Sequence, residues 1–212
     1  MKKIRVKITT VEQLLGTASN NKEIHQEFIA SKAPDAPSME EEVAAVGAAE
    51  VFDKSMTVFP RDDAGNPIMW DYQIKGFFKD SCQMLRKVPG SECSKIKAFK
   101  KEIDGLVFVY PRQIPIKFDG EIGICERPLR AQTAQGERIA LASSESIPAG
   151  ATLEFEIKLM LDSHEKFILE CLDYGQDRGL GQWRNSGCGK VVYEAYDEDG
   201  NWISGTNAEA KK

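Results

Sequence analysis

The sequence predicts an α+β fold of the ferredoxin-like, RRM-like kind. It would have one mostly antiparallel sheet carrying two main helices, an inserted loop region and a glycine-rich loop. Three observations predict it. Residues 3–10 and 152–161 alternate apolar and polar side chains, with Ile4, Val6 and Ile8 in the first and Leu153, Phe155, Ile157 and Leu159 in the second, the period of half-buried strands. Residues 71–86 carry Tyr72, Ile74, Phe77, Phe78, Cys82 and Leu85, and residues 164–173 carry Phe167, Ile168, Cys171 and Leu172, the three-and-four spacing of amphipathic helices. Between the second helix and a strand at 191–196 lie Gly175, Gly179, Gly181, Gly187 and Gly189. A segment that gives up side chains so often is shaped by its backbone.

The remaining elements follow in order. Residues 17–55 read as an insertion after the first strand, with short helices at 20–29 and 39–51 around a loop holding Pro34 and Pro37. A short strand at 56–60 precedes the turn cluster at 62–67. Asp71 is the candidate N-cap of the first helix, and Pro89-Gly90 stops it. A further helix is expected at 94–101 and a buried strand at 106–110. Residues 114–118 and 121–125 read as a hairpin turning at Asp119-Gly120. A strand at 138–144 comes next, and 201–204 pairs back on 191–196 through Asp199-Gly200. Residues 1–205 therefore read as one domain and 206–212 as a frayed tail.

Composition excludes several classes. No run of eighteen apolar residues occurs, so no membrane span is expected. The alternating N-terminus lacks the continuous apolar core of a signal peptide, which points to a cytoplasmic protein. The five cysteines, Cys82, Cys93, Cys125, Cys171 and Cys188, form no C-x-x-C pair, and His25 and His164 are the only histidines. Free thiols, with no metal site and no cofactor, are the expectation. The net charge of −5 is unevenly spread: Lys75 to Lys101 holds eight basic residues against two acidic ones. That asymmetry fits a phosphate-binding face on an acidic remainder, and equally a solvated helix face.

Four pieces, in order, resemble the RAMP superfamily of CRISPR-associated RNA-binding proteins, in its backbone-subunit type. Leu14-Leu15-Gly16-Thr17 resembles the family's exit from its first strand. Asp63-Ala64-Gly65-Asn66-Pro67-Ile68, followed by Ile74-Lys75-Gly76-Phe77-Phe78, is similar to the segment whose Lys-Gly opens the first helix. Arg127 through Ala134-Gln135-Gly136 to the run from Glu145 to Phe155 resembles its hairpin. The run from Gly179 to Val191 resembles its glycine-rich loop. Met69-Trp70-Asp71-Tyr72-Gln73 stands where the family has Pro-Gly-Ser-Ser, so no contact is carried over from that turn.

The resemblance implies RNA held with little base specificity. Amides of Gly179, Gly181, Gly187 and Gly189 would meet phosphates, with Arg184 and Lys190 adding charge. Trp183 would stack on a base, its alternative being a core anchor for the loop. Lys75, Lys79, Arg127 and Arg130 complete the RNA-binding set, each with a plain surface charge as its alternative. Some family members cut target RNA with an aspartate in the loop after the first strand. Asp35 lies in the corresponding insertion but carries no motif of its own, and catalysis is not assigned to it. His25 and His164 have no visible general-acid or general-base partner, and Glu40-Glu41-Glu42 reads as a solvated helix start.

The leading reading is a non-catalytic RNA-binding protein, a backbone-type subunit of a CRISPR ribonucleoprotein. Its partners would be guide or target RNA and other subunits, with head-to-tail self-association and no membrane. Two alternatives stay open: an endoribonuclease of the same superfamily, and a mobile-element structural or interaction protein that mimics or blocks a CRISPR complex.

Overall fold

The computed structural model describes residues 1–20, 56–133 and 136–206, with the side chains of residues 129–141 outside that description. Its centre is β1 (Lys2–Thr10), in which Ile4, Val6 and Ile8 are buried while Arg5 is exposed. Alternation forces this outcome, because successive side chains leave opposite faces of a strand. β1 is paired on both sides. β10 (Thr152–Leu159) sets Phe155 opposite Val6, and β11 (Val191–Tyr196) sets Ala195 opposite the same residue, both antiparallel. β6 (Val107–Tyr110) continues the sheet beyond β10, and β12 (Trp202–Gly205) extends it beyond β11.

Two helices complete the unit. α1 (Asp71–Leu85) lies in the chain between β1 and β6, and α3 (His164–Arg178) between β10 and β11. With the strand order β11-β1-β10-β6, this is the βαββαβ ferredoxin-like arrangement that strand and helix periodicity predict. The apolar stripes of the helices, Ile74, Phe77 and Phe78 on α1 and Phe167, Ile168 and Leu172 on α3, close one core with the inward side of the sheet. Tyr193 is buried there and donates its hydroxyl to Asp173 Oδ1 at 2.6 Å, tying β11 to α3. Burial first, and the Asp173 carboxylate second, raise that phenol well above its ordinary value.

A second sheet is built beyond the C-terminal end of the central strand β1. β8 (Gly123–Thr133) and β9 (Gly136–Ile147) form a long antiparallel hairpin. Its base pairs with β2 (Leu14–Leu15) at Ile147 and Ser146 and, in parallel, with β4 (Thr57–Val58) at Ser144. β4 also pairs with β3 (Ala18–Ser19). The exit from β1, the chain returning after residue 55 and the hairpin base therefore meet at one place.

Several expectations need correcting. Residues 114–118 and 121–125 are not a hairpin: β7 (Gln113–Lys117) pairs with β10 and with β5 (Ile68–Trp70), while Gly123 onward belongs to β8. Ile114 and Ile116 are buried in the core, whereas Ile124 is 60% exposed, and the two runs belong to different sheets. The helix expected at 94–101 is displaced. A 3-10 turn covers Cys93–Lys95, and α2 (Phe99–Leu106) follows, making three helices among the described residues. The displacement has a local cause, since Ser94 donates its hydroxyl to the Ser91 carbonyl at 2.6 Å and its N–H to the Ser91 hydroxyl at 3.0 Å, bonds that compete with a helical ladder. Trp70, not Asp71, occupies the N-cap position of α1, its N–H donated to Gln73 Oε1 at 2.8 Å. The helices expected at 20–29 and 39–51 fall outside the described residues, apart from Asn20. Among the described residues no helix is long and apolar enough to cross a membrane.

α1 and α3 pack closely because Gly175 presents no side chain to the Phe77 ring, which would overlap a Cβ built there. Gly175→Ala tests this. At an exposed helix position that change would stabilise by about 1 kcal/mol. Here overpacking should destabilise by about 1–3 kcal/mol, read as a lower urea midpoint with an unchanged slope.

Candidate functional site

The glycine-rich segment starts where α3 ends at Gly179 and folds back on itself, Leu180 N–H donating to the Gly189 carbonyl at 2.8 Å. The exit of β1 stitches it down. Gly189 donates to the Gln13 carbonyl at 2.8 Å, and Val11 to the Lys190 carbonyl at 2.9 Å. Positive φ at Gly179, Gly181 and Gly189 has a packing cause: a Cβ would meet the Gly189 carbonyl oxygen at Gly179 and the Leu15 carbonyl oxygen at Gly181, and would overlap the Leu180 carbonyl at Gly189. Only Gly187 of these four faces open space. The N–H groups of Gly179, Gly187 and Gly189 are already donated to carbonyls of Gly175, Arg184 and Gln13. Among the described residues of this segment, five consecutive main-chain N–H groups, Gly181 to Asn185, have no hydrogen-bond partner, as do the separate N–H groups of Cys188 and Lys190. Any anion-binding backbone here is therefore the 181–185 row rather than those three glycines.

Two side chains invisible to motif reading hold the segment in place. Gln182 Nε2 reaches the Gly16 carbonyl, Thr57 Oγ1 at 2.6 Å and Ser144 Oγ at 3.1 Å, so one amide joins the β1 exit, β4 and the base of the β8–β9 hairpin. Asp80, on α1, accepts from Arg184 Nη1 at 2.7 Å and from Arg178 Nε at 3.1 Å. Burial pushes the Asp80 carboxyl upward, but the bonds from Arg184 and Arg178 outweigh it and hold the group below its ordinary value. Arg178 also donates to Asn185 Oδ1 at 3.0 Å. One carboxylate thus serves two guanidinium groups, and the junction keeps a surplus of positive charge.

Trp183 sits in the left-handed region at φ 56° and is 39% exposed, so it is not a core tryptophan. The guanidinium of Arg127, itself buried, lies 5.1 Å from its ring centroid and donates to Ser144 Oγ at 3.0 Å. Cation–π contact backs one side of the ring. Between α1 and this segment runs a cleft of about 300 Å³ whose lining includes Thr17, Gln73, Gly76, Asp80, Gly181 and Arg184.

The other sequence-predicted residues lie elsewhere. Lys79 is ion-paired with Asp104, and Lys75 donates to the Asp104 carbonyl at 3.3 Å while lying 4.9 Å from the Phe108 ring centroid. At 100° per residue they stand about 140° (Lys75) and 100° (Lys79) round the helix from Asp80, so neither shares the cleft. Lys190 is exposed at the end of the segment. Arg130 lies on β8 opposite Ile139, its side chain outside the described residues, as are Asp35, His25 and Glu40-Glu41-Glu42. His164 is buried, with Nε2 3.1 Å from Glu102 Oε2 and its ring edge-on to Phe167, which is a structural setting.

No family model matches this chain, and no curated protein matches it. Among solved structures, a chain in the cryo-EM structure of the type III-B Cmr-beta bound to cognate target RNA superposes with a TM-score of 0.52 at 14% identity. The match covers 97% of this chain and 60% of that one, so this chain spans about three fifths of its neighbour's length. At that identity the likeness is one of fold.

The Asp80 junction is testable by itself. Asp80→Asn should lower stability by about 1–3 kcal/mol near neutral pH. Because the folded carboxyl is held below its ordinary value of 3.8, its contribution is complete above that pH and fades as pH falls through the lowered value. Urea melts from pH 7 down to pH 3 should therefore show the wild type and variant converging at the acid end.

Proposed function

We propose that this chain binds single-stranded RNA through the Gly181–Arg184 segment, as a RAMP-like, backbone-type subunit of a CRISPR ribonucleoprotein. The observation that carries the reading is the row of unpartnered N–H groups from Gly181 to Asn185, set beside Arg184 and an exposed Trp183 backed by Arg127. Successive free amides are oriented partial positive charges that suit phosphate oxygens, and the neighbouring guanidinium groups add full charges. An exposed indole offers a face on which any base can stack. Such a surface grips backbone and bases without reading sequence. The shared fold with a chain from an RNA-bound Cmr assembly supports RNA and other protein subunits as the partners, and head-to-tail contact between copies is part of the same proposal.

The RNA would enter by the cleft between α1 and the loop and lie across the base of the β8–β9 hairpin. In that position Arg184 partly exchanges its Asp80 contact for phosphate, while Arg178 keeps Asp80 paired. Arg127 stays buried beneath Trp183 and acts by supporting it. Lys75 and Lys79 belong to the α1–α2 contact in this reading, and their substitution should leave affinity nearly unchanged.

Filter binding of a short unstructured RNA across a salt series tests the proposal. Affinity should fall as salt rises. Arg184→Ala combined with Lys190→Ala should reduce the log–log slope by about 1.4, at about 0.7 for each phosphate no longer neutralised on a single strand. Trp183→Ala should weaken binding by about 1–3 kcal/mol at any salt. Absence of RNA binding by the wild type even at low salt would sink the proposal, and would favour an interaction protein whose cations serve its own fold.

A further inference from the structure

Cysteine spacing in the sequence gives no reason to join Cys82, Cys93 and Cys171, yet the fold does. Cys82 comes from α1, Cys93 opens the 3-10 turn after it, and Cys171 comes from α3. All three are fully buried, and their sulfurs lie within 4.8 Å of one another, with Cys93 and Cys171 3.6 Å apart. We propose that these three cysteines form a binding site for one thiophilic d10 metal ion, held by three sulfurs inside the α1–α3 interface.

The dimensions fit. An ion with metal–sulfur bonds of about 2.3 Å needs its sulfurs about 3.8–4.0 Å from one another, so small rotations of these side chains suffice. Soft thiolate donors select monovalent copper or zinc-type ions over hard cations. Among the described residues no histidine or carboxylate joins the group. Three sulfurs alone suit a three-coordinate ion such as Cu(I). A divalent ion would draw a fourth donor from the main chain, where the Phe78 carbonyl lies 3.7 Å from Cys171 Sγ and the Phe167 carbonyl 3.9 Å from Cys93 Sγ.

The site is also braced before any ion arrives. Glu170, beside Cys171 on α3, accepts the N–H groups of Glu92 at 3.1 Å and Cys93 at 2.9 Å. The turn carrying one ligand is thereby clamped to the helix carrying another, the pre-organisation a metal site requires. Binding replaces three S–H bonds with three metal–sulfur bonds and releases the three protons to solvent. Arg86, one helical turn after Cys82, supplies a nearby positive charge against the anionic cluster. The consequence is mechanical: the ion would staple α1, the following turn and α3, and α1 is the helix whose Asp80 anchors the glycine-rich segment.

Anaerobic titration of the reduced full-length protein tests this, with Cd²⁺ as the divalent probe and Cu(I), set against a chromogenic chelator, as the monovalent one. The expected result is saturation at one ion per chain, with an ultraviolet sulfur-to-cadmium charge-transfer band in the divalent arm. Cys93→Ser should weaken the metal at least about tenfold, whereas Cys125→Ser with Cys188→Ser should bind as the wild type does. Alkylation of the wild type, with and without metal, in enough urea to expose the three thiols of the metal-free protein, followed by peptide mass analysis, decides the matter even if a variant folds poorly. Metal should protect Cys82, Cys93 and Cys171 and leave Cys125 reactive. No saturable binding of either ion, or protection confined to Cys125 and Cys188, overturns the proposal and leaves the three thiols as apolar packing.

Discussion

The double pairing of β1 is the constraint on which the rest of the structure depends. With β10 on one side and β11 on the other, its backbone groups are satisfied within the sheet and its alternate residues Ile4, Val6 and Ile8 are committed to the core. A slip of one residue would exchange that apolar set for Lys3, Arg5 and Lys7, so register is fixed by burial. The position of β1 also determines where its exit lies. Residues 11–16 emerge beside the start of β11 and offer their carbonyl oxygens to whatever passes there. The glycine-rich segment passes there, and Gln13, Leu15 and Gly16 set its path.

This explains why so many glycines are present and what they do. Gly179, Gly181 and Gly189 let main chain run against main chain, so their role is to make the segment compact. Their contribution to any ligand is indirect: by folding the ends of the segment onto the β1 exit, they leave the five N–H groups between them without internal acceptors. Charge is arranged with the same restraint. Asp80 binds two arginines with one carboxylate, which fixes the segment to α1 without neutralising it. Arg127 serves as a support under Trp183, which keeps the indole raised from the surface rather than sunk into the core.

The legible parts are those governed by local periodicity. The alternation in β1 and β10, and the three-and-four spacing in α1 and α3, have one physical reading each, because a single apolar face has to be buried. The sequence misleads where a local signal competes with a distant one. Asp119-Gly120 does turn the chain, with Gly120 at φ 100°, but Ile116 is drawn to the core beside β10 while Ile124 pairs with β9 in the other sheet, so no hairpin closes across it. Lys75 and Lys79 read correctly as charges on a helix. Which neighbour takes them depends on the arrival of Asp104 from α2, about which the helix itself says nothing. Asp80 stands out as one of only two acids in a basic run, and that contrast is the signal that could identify it. Gln182 carries no signal at all.

By itself, the sequence determined the ferredoxin-like core. Its strand and helix periods, and the order in which they occur, leave few ways to bury so much apolar surface in one layer of helices on one sheet. It also determined that a backbone-shaped segment would leave α3 and enter β11. Only the tertiary structure decided which amides of that segment stay unpaired, which cations are consumed by Asp80 and Asp104, and that Cys93 and Cys171, 78 residues apart, would touch. The reason is common to all three. A hydrogen bond, an ion pair or a thiol contact is settled by distances of a few ångströms between elements, and those distances follow from packing the whole chain rather than from any window of it.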